Sequence, residues 1–373
     1  MAGTVADCEL SAGVSFAVAT TAQDASIRQL LRDNPIRGAV NVAFQREPDY
    51  FQGENIAGGE DRTIVAFRNR RLVCMGRCTQ RECWVNGQPM RAGYLAELRL
   101  DATVRGQFGI LRDGYRFFQS LQADNPADLY FTSIASDNSR AQRLLESGMR
   151  GLPSYDFLSE LETLLVAVPR NPRPGRLSVR TPRSEDIPTM VRLLNSHGRR
   201  HNFSTVWTVE NLLALEEHGL PLDRFLLALD GNEIVGCGAL WDQRSFKQTA
   251  VLGYSPVLTK ARPVVNAIGP LFGIPPLPRP GSILAHAFLS PIAFSDGASA
   301  MLFDFIHAFF LLAAQTGLEF ITLALPASDR RIPKIRQRFC TRAWRSRVYQ
   351  VKWPEQRNVD LGRIDIFPEV ALL

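Results

Sequence analysis

Leu98 and Leu100 alternate with Glu97, Arg99 and Asp101, a period of two that predicts a half-buried strand over residues 94–100. The chain turns at residues 105–109 and a helix is predicted over 110–118; the apolar run 129–135 reads as the next strand, with a helix start at 136–146. Upstream, residues 14–19 read as a strand behind a loose leader, and Thr20 to Asp24 cap a helix over 25–32 that Asn34-Pro35 stops. Residues 63–67 and 72–78 read as an antiparallel pair, and Asn86-Gly87 is the favoured two-residue hairpin turn. A last apolar strand is predicted over 163–168.

A proline-rich, charged break at residues 170–176 then divides the chain into a first domain over 1–169, a linker over 170–176 and a second domain over 177–373. Beyond the break the pattern begins again, with a strand over 177–180, a helix over 187–195 and a hairpin (225–229 and 233–241) around Asp230-Gly231-Asn232. A central strand over 283–289, a helix over 298–316 and a strand over 320–325 complete the echo. Residues 255–280, thick with proline and glycine, read as an ordered surface loop or a flap over a cleft.

The two halves differ in chemistry at the strand-to-helix turn. In the first, Gly106 and Gly109 let backbone N–H groups face a ligand, and the helix that follows aims the positive end of its dipole at the same place, a cradle suited to pyrophosphate. The counterpart at 290–298 has no arginine and places Asp296 where a phosphate would lie, and a carboxylate there repels a polyanion.

At these residues the chain resembles the GNAT superfamily of N-acyltransferases, whose acyl-CoA site is a strand, an Arg/Gln-x-x-Gly-x-Gly/Ala loop and a helix. Arg105 and Gly106 match the start of that loop, whereas Phe108 and Ile110 stand where the family has its later small residues. Asn138, Ala141 and Leu144 fit the family's Asn-x-x-Ala-x-x-Leu helix start after the next strand. The resemblance implies an α/β (α+β) fold of two tandem GNAT-like domains, each a mixed, mostly antiparallel sheet flanked by helices, with the second degenerate.

It also implies an N-acyltransferase using acetyl-CoA, or another acyl-CoA, as co-substrate. The backbone amides of Leu98, Arg99 and Leu100 would then meet the pantetheine arm and the transition-state oxyanion. The Arg105 side chain, Gly106 and the amides of Gln107, Phe108, Gly109 and Ile110 would hold the pyrophosphate, and Asn138 would reach pantetheine or the sulfur. The family's acid is a tyrosine at the position of Leu145, which leaves Tyr155 as its substitute; Glu97 reads as a base acting through water, or as half of a cross-strand ion pair. Residues 44–53, with Glu47 and Asp49, correspond to one wall of the acceptor cleft or to an irregular loop, and His286 faces the domain junction or is a satisfied core histidine.

Composition narrows the partners. The chain has 373 residues, 45% hydrophobic and 21% charged, enough for two cores in a globular protein. The net charge of +6 comes almost wholly from arginine, which suits a polyanionic small ligand, a nucleic acid or a merely solvated surface. The six cysteines include no C-x-x-C pair and no histidine precedes residue 197, so no metal is expected and the thiols read as reduced. No secretory signal is evident, and residues 298–314 fall short of the roughly 20 that span a bilayer. The expectation is a cytoplasmic monomer or homodimer acting on a small-molecule or peptide amine, with no membrane and no nucleic acid as partner; a non-catalytic acyl-CoA or metabolite sensor is the alternative.

Overall fold

The computed structural model of the chain describes residues 8–10, 13–269, 275–356 and 358–373. Most of the expected leader, and part of the 255–280 insert, lie outside these residues. The first half runs β1 (Cys8–Leu10), β2 (Val14–Val18), α1 (Asp24–Arg32), β3 (Val40–Gln45), β4 (Glu60–Arg68), β5 (Arg71–Val85), β6 (Gln88–Leu100), α2 (Phe108–Gln122), β7 (Leu129–Ala135), α3 (Ser139–Leu145) and β8 (Ser154–Ala167). The second runs β9 (Ser178–Arg180), α4 (Ile187–Gly198), α5 (Val209–Leu213), β10 (Phe225–Asp230), β11 (Glu233–Trp241), β12 (Gln248–Tyr254), α6 (Pro256–Ile268), β13 (His286–Phe294), α7 (Leu302–Gln315), β14 (Phe320–Pro326), α8 (Ile332–Arg338) and β15 (Thr341–Lys352).

Among the described residues, thirteen strands form one sheet in the order β1-β2-β4-β5-β6-β7-β15-β8-β14-β13-β11-β10-β9. The halves exchange their last strands. β15 inserts between β7 and β8, and β8 pairs antiparallel with β14 over seven residues. Burial explains the exchange: β14 is buried at every position and the second half of β8 nearly so, which suits strands covered on both faces and deep inside a sheet. A second, two-stranded sheet joins β3 of the first half to β12 of the second. The 255–280 insert therefore contributes a helix, α6, rather than only loop.

Two parallel pairings shape the middle of the sheet. β6 runs parallel to β7 only from Ala92↔Leu129 to Leu95↔Thr132, after which the strands part. β13 and β14 do the same after Phe288↔Thr322. Each divergence makes a wedge. In the second half Glu369 reaches into it, accepting from the Ser290 hydroxyl at 2.6 Å, and the segment around Ala371 packs with Trp241 and Ala293. In the first half the wedge stays open.

The expected turn at Ser290 is also displaced. β13 continues to Phe294, because Phe294 and Ala293 pair with Gly236 and Cys237 of β11, and Asp296 then ion-pairs with Arg200. α7 with its preceding turn, Ala298–Gln315, is long and apolar enough to cross a membrane by length and composition. Here Phe305, Phe309 and Phe310 of that helix are fully buried against the second half's strands.

Candidate active site

The open wedge leads into a cavity of about 1820 Å3 that runs from the turn after β6, under α2, and across to β12, β13 and residues 370–373. Its first wall is set by a β-bulge. Met75 pairs with Arg99 and Arg77 with Ala96, so Gly76 alone faces both Glu97 and Leu98, and Glu97 takes a left-handed φ of +54°. Leu95 packs towards α2 before the bulge and Leu98 and Leu100 do so after it. The extra residue thus swings Glu97 to the opposite face, the one shared by Arg99.

On that face Glu97 meets Arg46 at 2.6 Å and accepts from the Tyr50 hydroxyl at 2.8 Å. Burial alone would raise its carboxyl, but Arg46, Arg77 and the two hydrogen-bond donors outweigh this and hold it at about 2. Of the two readings of Glu97, the geometry is that of the ion pair, and a carboxylate held so low is a weak proton acceptor near pH 7. Glu47 ion-pairs with Arg28 and Arg32, and Asp49 caps the short turn at Phe51 with its side chain.

The cofactor loop is built as a strand-to-helix turn. Gly106 has φ +88°, and Gln107 precedes α2. Two of the four expected amides are already engaged, since Gln107 N–H donates to Val104 O (3.1 Å) and Ile110 N–H to Gln107 O (3.2 Å). Among the described residues the amides of Phe108 and Gly109 have no such partner, and they open the helix at its positive end. Arg105 is exposed beside them, its guanidinium donating to Asn34 at 2.8 Å. Asn138 caps α3 by accepting from Ala141 N–H at 3.2 Å, at the cavity's edge. Ser136, between β7 and α3, holds a buried hydroxyl without a partner among the described residues, a donor that a pantetheine amide would satisfy.

Beneath α2 the cavity is apolar. Phe16, Ile64, Ala66, Cys74, Cys78 and Phe118 line it, and Gly76 leaves room there, a Cβ at that position finding only Leu98 Cδ1 at 3.9 Å. Tyr155 also lines this part. Its hydroxyl hydrogen-bonds that of Tyr115, and burial together with that neighbour pushes its phenol well above the ordinary value.

The far wall comes from the second half; the sequence reading named its His286 but not its Lys247. Lys247, just before β12, donates to the backbone oxygen of Leu373 at 2.6 Å and lies over the Phe288 ring. Burial, reinforced by Arg46, Arg77 and Arg81 and opposed by Glu97, pulls its ammonium down to about 7. His286 also lines the cavity, with Nδ1 2.8 Å from the Thr322 hydroxyl, and burial brings it down to about 4. No spacing rule marks Lys247, because the environment that tunes it is assembled from Arg46 after β3, from β5 and β6, and from residues 371–373.

No protein-family model and no curated protein matches this sequence. Solved structures do. N-myristoyltransferase from Saccharomyces cerevisiae with bound myristoyl-CoA is similar over 98% of this chain and 91% of its own, at 11% identity and a TM-score of 0.63. A GCN5-related N-acetyltransferase from Sphaerobacter thermophilus is similar over 94% of this chain and 99% of its own, at 12% identity and a TM-score of 0.58. Near-complete coverage of both chains, with the parted parallel strands and the exchanged β8 and β15, identifies the architecture: the chain has the GNAT fold in two copies that share one sheet.

Proposed function

We propose that the chain is an acyl-CoA-dependent N-acyltransferase in which the first half holds the acyl-CoA and the second half closes the acceptor side. The observation that carries this is the open β6/β7 wedge, which has the unbonded Phe108 and Gly109 amides at one end and the cavity at the other. At about 1820 Å3 the cavity exceeds the roughly 300–1,000 Å3 of a single small-molecule site, as direct transfer between two bound substrates requires.

In this reading Lys247, near 7, takes the proton from the acceptor ammonium, and the freed amine attacks the thioester carbon. The edge of β6 from Leu98 to Leu100, unpaired on its β7 side, offers backbone N–H groups to the oxyanion. The carbon–sulfur bond then breaks, the attacking nitrogen gives its remaining extra proton to the departing sulfur, and the thiol leaves along the wedge with the Tyr155 phenol as a hydrogen-bond donor to that sulfur. Glu97 acts as the counter-ion that fixes Arg46 rather than as the base.

The apolar space beneath α2 favours an acyl group longer than acetyl. Each methylene buried there is worth about 0.8 kcal/mol, roughly fourfold in affinity. Thermal stabilisation and CoA release, measured with acetyl-, octanoyl- and myristoyl-CoA and a panel of amines, are expected to rise with chain length. Gly76→Leu, which fills the space, is expected to remove that rise. Stabilisation by none of the three thioesters contradicts the acyltransferase reading; stabilisation without CoA release from any amine favours an acyl-CoA sensor.

A further inference from the structure

On the acceptor face of the first half, not every guanidinium is held in an ion pair. Asp61 is taken by Arg77, whose Nε lies 2.7 Å away, and by the Thr79 hydroxyl. Glu97 is taken by Arg46 and Tyr50. Glu369 accepts from Ser290 and, with Asp61, acts on Arg81 electrostatically without forming an ion pair with it. Two arginines on the same wall are left over. Arg81 follows Arg77 and Thr79 at the two-residue spacing of β5 and so shares their face, and among the described residues it has no ion pair or hydrogen bond. Arg99 donates to the carbonyl of its neighbour Leu98 at 3.0 Å and has no carboxylate partner among the described residues. Both line the cavity, and both act electrostatically on the Tyr94 phenol between them.

Asp61, Glu369 and Glu97 offset these charges only from a distance, and removing a guanidinium from water without a directly bonded carboxylate is costly, so a wall that keeps two of them facing a cavity suits an anion that arrives with the ligand. Burial lowers both guanidiniums below the ordinary arginine value, the mark of charge held without full compensation. They lie on the face away from the apolar space under α2 and away from the Phe108 and Gly109 amides, and so on the acceptor's side rather than the diphosphate's. The planar fork of a guanidinium matches a carboxylate with two parallel hydrogen bonds.

We propose that Arg81 and Arg99 form a receptor for a carboxylate on the acceptor, which makes the acceptor an amino acid or short peptide with a free carboxyl group. This rests on the acyltransferase reading for the ligand's role, though not for its binding.

The test uses the common L-amino acids and a panel of short peptides, each as free acid and as carboxamide, with the full chain and a saturating acyl-CoA. Thermal stabilisation and, in parallel, CoA release are followed. The free acids are expected to exceed their carboxamides by about 10- to 100-fold in affinity, the worth of charge-assisted hydrogen bonds. Arg99→Gln and Arg81→Gln, made separately, are expected each to shrink that ratio to within about threefold, and Arg99→Lys to restore part of it. Equal stabilisation by acid and amide, stabilisation by neither, or an unchanged ratio in both glutamine variants overturns the proposal. So does a ratio that survives while acyl-CoA affinity falls, which would assign the two arginines to the cofactor. Because stabilisation is read without turnover, a clear acid preference with no CoA released would sink acyl transfer and leave the anion receptor standing.

Discussion

Lys247→Met is expected to lower kcat/KM for amine acylation by about 100- to 10,000-fold, the range that a positioned proton acceptor supplies. The ammonium sits among Arg46, Arg77 and Arg81 with Glu97 as its opposing charge, and burial is the first cause of its descent to about 7. The sign follows from which form works. Only the neutral amine accepts a proton, so activity in the parent is expected to rise as pH climbs through about 7 and to level off above it. The variant is expected to lose that rise together with most of the rate while its melting temperature changes little, since methionine keeps most of the buried volume. A variant with parental kcat/KM and an unchanged pH profile would remove Lys247 from the chemistry.

Arg77→Met is expected to cost about 3–5 kcal/mol of stability, the penalty for stripping one partner from a buried ion pair. The Asp61 side chain is 1% exposed, its carboxylate lies 2.7 Å from Arg77 Nε, and the same guanidinium donates to the Gly53 carbonyl at 2.9 Å. Burial would raise the Asp61 carboxyl, but Arg77 and the Thr79 and Asn55 donors together hold it below the ordinary aspartate range. A carboxyl lowered on folding contributes stability that is full above the unfolded value and lost as pH falls through the folded one. The stability of the parent against urea should therefore fall on acidification below the ordinary aspartate range, and the methionine variant should lack that contribution. A loss under about 1 kcal/mol would mean that water or a neighbouring donor replaces Arg77.

The elements that were legible in the sequence are those whose burial is local. Residues 129–135 form β7 to the residue, since an apolar run of that length is a strand whichever neighbours cover it. Asn86 and Gly87 both have positive φ, as their hairpin turn requires. β5 was read only as far as Cys78 because the polar run Thr79, Gln80 and Arg81 follows, yet Thr79 and Gln80 are buried and Arg81 is half-buried. α6 was hidden in the 255–280 stretch, whose prolines and glycines read as loop, and Pro263 lies inside it; β12, just before that stretch, was not read as a strand.

Strand exchange leaves no trace in alternation, because β15 would show the same pattern beside β8 in either half. The site divides along the same line. The segment from Arg105 to Gly109 is contiguous, and so its turn from strand to helix was legible. Arg46 with Glu97, Lys247 with Leu373, and Glu369 with Ser290 are pairs 51, 126 and 79 residues apart, and only the folded chain brings them together.

The most direct measurement is a crystal structure of the chain with a bound acyl-CoA. The account predicts diphosphate oxygens on the Phe108 and Gly109 amides, the thioester in the wedge between β6 and β7, and the acyl chain running beneath α2 past Gly76. A ligand seated instead at the turn after β13, or a wedge that stays empty at saturating acyl-CoA, would contradict it.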